Sequence, residues 1–146
     1  MVKKIICMGV ALIMCMSLFC ACGKEEEIDF SVGSAWGEGQ TEMIVRSLDE
    51  WNNFDDSKTI TIDEKYDNEF FADNALVIVA FRTTSGGCGV EEIKVLKRGN
   101  RLTVDINGMD GVMTVIGGII VVLEVKKDDV VGVKTVRFTT NITQPK

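Results

Sequence analysis

The chain of 146 residues contains no histidine. That absence removes the Ser-His-Asp and Cys-His nucleophilic mechanisms together with the commonest zinc sites. Cysteine is nearly missing from the part that must fold: Cys7, Cys15, Cys20 and Cys22 are crowded at the start, leaving Cys88 alone. An intramolecular disulfide is therefore not available to staple the domain, which must be held by its apolar core. Proline occurs once, at Pro145, so no strand is interrupted by a missing amide donor. Positive charge is scarce as well. Beyond residue 21 there are 14 Lys and Arg against 22 Asp and Glu, a net charge of −8. Nucleic acid, which calls for concentrated positive charge, is a poor partner for such a surface.

What is present begins with an export signal. Lys3-Lys4 precedes an apolar run from Ile5 to Met16, and the run exits through Ser17-Leu18-Phe19-Cys20-Ala21-Cys22-Gly23. A basic start, an apolar middle and small residues at the exit are the layout of a secretory signal peptide. The segment Phe19-Cys20-Ala21-Cys22 resembles the lipobox of bacterial lipoproteins, an apolar residue and two smaller ones before a Cys. The resemblance implies cleavage before Cys22 and a diacylglyceryl thioether on its sulfur, with fatty acyl chains such as palmitate. Two acyl chains anchor stably where one is marginal, each buried methylene contributing about 0.8 kcal/mol. The alternative is an uncleaved membrane helix, since only Ser17 is polar between Ile5 and Cys22. The Lys pair keeps the N-terminus cytoplasmic in either case, and both readings put the domain outside the cytoplasmic membrane.

Three segments follow: residues 1–21 as lipoprotein signal peptide, 22–29 as lipidated tether, and 30–146 as one β-rich domain. Gly23 to Asp29 is short and charged, as a tether would be. Phe30 to Gln40 reads as loop or a loosely attached first strand. Met43-Ile44-Val45 is a short strand, and Ser47-x-x-Glu50 is a helix capping box, with Leu48, Trp51 and Phe54 on one side of the helix. Ile60 and Ile62 alternate with polar residues in a strand. Tyr66 to Phe71 forms a helical turn with its aromatics inward. Leu76 to Phe81 is continuously apolar, as in a central strand covered on both faces. Thr83 to Gly89 is a loop. Val90 to Lys97 is a strand whose apolar parity shifts at Glu91-Glu92, the mark of a bulge. Arg98-Gly99-Asn100 turns the chain into Leu102, Val104 and Ile106, which alternate with polar residues. Asn107-Gly108 and Asp110-Gly111 are turn dipeptides. Ile119 to Val125 is a second apolar strand, and Val136 and Phe138 mark a last one beyond a turn at Lys126 to Asp129. The fold class is mainly β, a β-sandwich or an α+β sheet, with five or six strands, one or two short helices and a signal helix in front.

Glu69-Phe70-Phe71-Ala72-Asp73-Asn74-Ala75-Leu76-Val77-Ile78-Val79, followed by Thr84-Ser85-Gly86-Gly87-Cys88, resembles the C-terminal domain of PrcB-like proteins. That family is named for a lipoprotein subunit that stabilises a bacterial cell-surface protease complex. The resemblance covers about residues 66–140. It departs at the loop, where Cys88 and Ser85 replace the family's Tyr and Thr, and near the end, where an aromatic-Pro-aromatic strand is missing. It implies a β fold and an accessory role, stabilising or regulating a cell-surface protease or another envelope protein.

Cys88 between two glycines invites a nucleophile reading, yet no neighbouring base or cation is present in sequence to lower its pKa. A small, half-buried hydrophobe is the simpler role. Gly86 to Gly89 lacks the Lys-Ser/Thr of a phosphate loop. Asp105 to Gly111 imitates a calcium loop, but Met109 and Asp110 stand where an oxygen ligand and a glycine are needed. A hairpin turn accounts for it, and no metal or other cofactor is implied. Lys94, Lys97, Arg98 and Arg101 place four cations within eight residues. Lys on an outer strand discourages aggregation; anionic envelope polymers or lipid head groups are the alternative partner. The leading expectation is a non-enzymatic, lipid-anchored binding module that meets membrane lipid through Cys22 and a protein partner through Thr84, Ser85, Gly86, Gly87, Cys88 and Gly89. The runner-up is an envelope enzyme with a carboxylate-only active site. A flat or loop-built contact surface favours the first, and converging carboxylates in a pocket the second.

Overall fold

The computed structural model describes residues 23–54, 59–83, 89–109 and 117–143. Among these residues the chain forms ten strands and two short α-helices, so the domain is mainly β. In chain order the strands are β1 (Glu26–Glu27), β2 (Phe30–Val32), β3 (Ala35–Glu38), β4 (Thr41–Val45), β5 (Thr59–Ile62), β6 (Asn74–Thr83), β7 (Gly89–Arg98), β8 (Arg101–Met109), β9 (Gly117–Lys126) and β10 (Thr135–Thr143). The helices are α1 (Leu48–Asn52) and α2 (Phe70–Asp73), and a 3-10 turn occupies Lys127–Val130.

Two four-stranded sheets pack face to face. One is ordered β1-β7-β8-β10 and the other β2-β9-β6-β4. The continuous apolar character of β6 follows from its place. Ala75, Val77, Val79 and Phe81 point into the core between the sheets, where they meet Val95, Leu102, Val104 and Ile106. Leu76 and Ile78 point the other way, into a second core with Val45, Ile62, Tyr66 and Phe71. Burying a side chain of this size contributes about 1.5–3 kcal/mol, and β6 does so on both faces. Among the described residues the first sheet is covered on one face only, in keeping with the alternation of Leu102, Val104 and Ile106 with polar residues in β8.

The outer layer over the second sheet consists of the β3–β5 ladder, α1 and α2. Ser47 caps α1, its hydroxyl accepting from Glu50 N–H at 3.0 Å. The Glu50 carboxylate accepts from the Arg46 amide at 2.6 Å, one residue ahead of the usual capping-box partner. Trp51 and Phe54 stack at 5.4 Å, and Leu48 and Trp51 pack on the second core. Tyr66 and Phe71 are buried as the pattern indicated, though the helix itself begins only at Phe70.

Several expectations change. The tether does not extend to Asp29: Glu26 and Glu27 pair with Lys97 and Leu96, and Ile28 is buried in the core. Of the two readings of Phe30 to Gln40 the strand holds, and the segment supplies two strands, β2 and β3, rather than one. The strand count doubles because the short strands carry too few residues to show a period. Asn107-Gly108 is not a turn but the interior of β8, paired with Glu92 and Val90 across the expected bulge. With Asp105 and Met109 in that same strand, the hairpin reading of Asp105 to Gly111 fails as well; Asp110 and Gly111 lie outside the described residues. A Cβ on Gly108 would run into the Gly89 carbonyl, so the glycine serves close approach of two backbones. Arg101 lies on β8, an interior strand, and Lys97 sits beneath β1. Edge protection therefore does not account for those two cations.

Candidate functional site

Of the residues singled out for function, Cys22 and the loop residues Thr84, Ser85, Gly86, Gly87 and Cys88 lie outside the described residues, as does the signal helix. Gly89 opens β7, exposed and paired with Met109. The strands on either side of that loop belong to different sheets, β6 to one and β7 to the other. The same end of the sandwich holds the last residue of β8 and the first of β9, since Gly89 pairs with Met109 and Thr83 with Gly117.

A cleft forms on one flank, where the two sheets are not closed against each other. β4 covers β6 only from Leu76 to Ala80, so the edge of β6 at Phe81 to Thr83 extends past it. β10 pairs with β8 along one side and forms the end of its sheet on the other. The cleft between them, about 610 Å³, is lined by Ala80, Phe81, Val136 and Phe138 below and by Gln40, Thr41 and Glu42 at the rim. Phe81 from one sheet and Phe138 from the other stack with ring centroids 5.0 Å apart and planes at 23°. Neither ring is extravagantly placed for a core, but together they floor an opening rather than seal it. Glu42 is the one titratable side chain lining the cleft among the described residues. An apolar floor, a polar rim and an adjacent strand edge are suited to an extended peptide that adds main-chain hydrogen bonds and inserts an apolar side chain. Sequence reasoning missed this site because Phe81 and Phe138 read as ordinary core residues, and only the topology reveals that β10 ends its sheet among the described residues.

The polar side chains converge elsewhere. On the outer layer, Tyr66 is 2% exposed and its hydroxyl accepts from Ser34 N–H at 3.1 Å while donating to Glu124 Oε1 at 2.9 Å. Lys65 Nζ meets the same oxygen at 2.7 Å, and Ser31 Oγ donates to Glu124 Oε2 at 3.0 Å. Asp63 accepts from Lys65 N–H and from Ser34 Oγ. Burial raises the Tyr66 phenol above its ordinary value. Lys65 is raised chiefly by its hydrogen bond to Glu124. Burial pushes Glu124 upward, but its hydrogen bonds from Lys65, Tyr66 and Ser31 outweigh that and leave it lowered. Asp63 is lowered, first by the Lys65 amide. Each shift locks the group into its resting protonation state. A general base or acid needs the opposite, a pKa brought toward the working pH. The arrangement fastens the outer layer to β9.

The outer face of the β1-β7-β8-β10 sheet carries polar rows across its strands. Asn141 Nδ2 donates to Asn107 Oδ1 at 3.3 Å, and Asn107 Nδ2 donates to Glu92 Oε2 at 3.1 Å. Lys94 bridges to Glu92 at 3.2 Å, which with Asn107 lowers the Glu92 pKa, and Thr139 donates to Asp105. Among the described residues no cluster of acids or cysteines is placed to hold a metal ion, and no helix is long and apolar enough to cross a membrane. Compared with family models, curated proteins and solved structures, the chain matches none.

Proposed function

We propose that this protein is a lipid-anchored, extracytoplasmic accessory module that holds a protein partner, in the manner the PrcB-like resemblance implies for an envelope or protease-associated subunit. The lipobox-like Phe19-Cys20-Ala21-Cys22 supports the anchor. The observation that carries the binding role is the stacked pair Phe81 and Phe138 beneath the open edge of β10. A cleft with an apolar floor and, among the described residues, one rim carboxylate has the chemistry of recognition. β10 carries one charge, Arg137, and no proline from Thr135 to Thr143, so its free edge is only lightly blunted.

The test is co-purification from detergent-solubilised membranes, comparing the unaltered lipoprotein with a Gln40→Arg, Glu42→Lys variant. Both side chains are exposed, so the fold and melting temperature should be unchanged while a stoichiometric partner is lost. Retention of the partner by that variant, with loss in Ser85→Arg instead, would move the interface to the Thr84 to Gly89 loop.

A further inference from the structure

The Phe81–Phe138 cleft carries a charge that the fold itself leaves unused. On β4, Ile44 packs into the core between the sheets, while Met43 and Val45 pack into the outer one. Strand alternation therefore points Glu42 the same way as Ile44, into the space between the sheets. Glu42 is exposed and stands at the cleft rim. Its carboxylate has no hydrogen bond or ion pair among the described residues.

The charged groups around it are tied or turned elsewhere. Arg46, one residue beyond β4, reaches Glu50 at 3.8 Å and donates to the Val133 carbonyl at 2.7 Å. Arg82 follows Phe81 on β6, and Arg137 precedes Phe138 on β10. Each therefore projects from the face of its strand opposite to the neighbouring ring. Asp105 accepts from Thr139 on the outer face of the sheet, and Glu38 is already engaged on the β3–β5 ladder.

Strand order then decides what a partner can present here. β10 ends one sheet and β4 ends the other, on the same flank. A segment paired with β10 would extend its sheet by about 4.8 Å, which sets its inward side chains beside β4 rather than over it. Such a side chain meets Phe81, Val136 and Phe138 along its length and Glu42 at its tip. Lys and Arg have that composition, an apolar stem under a cationic head, and a head near the rings gains from their negative faces as well. A wholly apolar side chain would cover the floor but strip water from Glu42 without replacing it. An acidic one would meet a like charge.

We propose that the cleft selects a basic side chain, Lys or Arg, from an extended segment of the partner laid along β10, with its stem on the Phe81–Phe138 stack and its head on Glu42. The proposal rests on the reading that the cleft holds an extended partner segment, and it adds the chemistry of the side chain that enters.

The test titrates the full lipoprotein, in detergent, into fluorescently labelled peptides as long as β10, nine residues, read by anisotropy. Valine and threonine alternate in them, and the central valine is replaced by lysine, arginine, norleucine or glutamate. The lysine and arginine peptides should bind about fivefold more tightly than the norleucine peptide, and the glutamate peptide more weakly than it. Glu42→Gln should bring the lysine peptide down to the norleucine level, and Glu42→Lys should reverse the order of lysine and glutamate. Neither variant should move the melting temperature. Equal binding of the lysine and norleucine peptides, or a lysine preference that persists in Glu42→Gln, overturns the proposal. The cleft itself then stands as the interface if Gln40→Arg, which narrows it, weakens every peptide, and falls if it weakens none. No binding by any peptide overturns both.

Discussion

Gly33 and Tyr66 are in contact so close that no side chain fits between them: a Cβ on Gly33 would run into the Tyr66 hydroxyl and come within 3.0 Å of Val122 Cγ1. The Gly33 amide donates to the Val122 carbonyl at 2.8 Å, so the backbone there is tied to β9 and cannot retreat. Tyr66 is equally fixed by Ser34 and Glu124. Gly33→Ala should therefore destabilise the domain by about 1–3 kcal/mol, the usual cost of forcing atoms into a packed site. Denaturant unfolding measures it. Stability equal to that of the unaltered protein would mean that the β2–β3 connection shifts freely.

The same cluster sets a pH dependence. Glu124 and Asp63 have folded pKa values below their ordinary 4.5 and 3.8, so the folded state binds fewer protons than the unfolded chain through that range. The resulting stability is present above the ordinary carboxylate values and is lost as pH falls through the lowered ones. Lys65 and Tyr66 are raised above 10.5 and 10.0, so their contribution is complete below those values and is lost as pH rises through the folded ones. Stability should decline on both sides of a broad neutral plateau. Glu124→Gln should lower the plateau and flatten the acid limb. An acid limb of unchanged steepness in that variant would assign the decline to other carboxylates.

Gly108 separates what the sequence discloses from what it conceals. Asn107-Gly108 is a strong turn dipeptide by local chemistry, yet it lies inside β8 because the Val90/Glu92 bulge brings the Gly89 carbonyl over Gly108. The long strands were legible because burial imposes a period: continuous in β6, alternating in β8. Among the short strands β5 was legible only because Ile60 and Ile62 alternate with threonines, while β1 and β3 were not, since pairing partners far along the chain define them. The cleft was hidden for the same reason, as the open edge of β10 is a property of strand order. Gly108→Ala should cost about 1–3 kcal/mol, whereas Asn107→Ala, removing only surface hydrogen bonds to Glu92 and Asn141, should cost well under that. Urea titration of the two variants checks the order, and equal losses would return Gly108 to the role of an ordinary strand residue.

The proposed anchor makes the remaining prediction. The lipobox-like segment holds two thiols, Cys20 and Cys22, and beyond it only Cys88 remains; the resemblance puts the thioether, which a fatty-acid analogue labels, on Cys22. Cys22→Ala should abolish labelling and leave an unprocessed precursor that retains Lys3-Lys4. Two further variants divide the alternatives. Cys20→Ala should be labelled and processed normally if Cys22 carries the lipid, and Cys88→Ser should change neither labelling nor the melting temperature with or without a thiol. Labelling that persists in Cys22→Ala would refute the assignment, and labelling lost only in Cys20→Ala would move it by two residues. A precursor that is never shortened in the unaltered protein would favour the uncleaved helix, in which the run from Ile5 to Cys22 itself holds the chain in the bilayer.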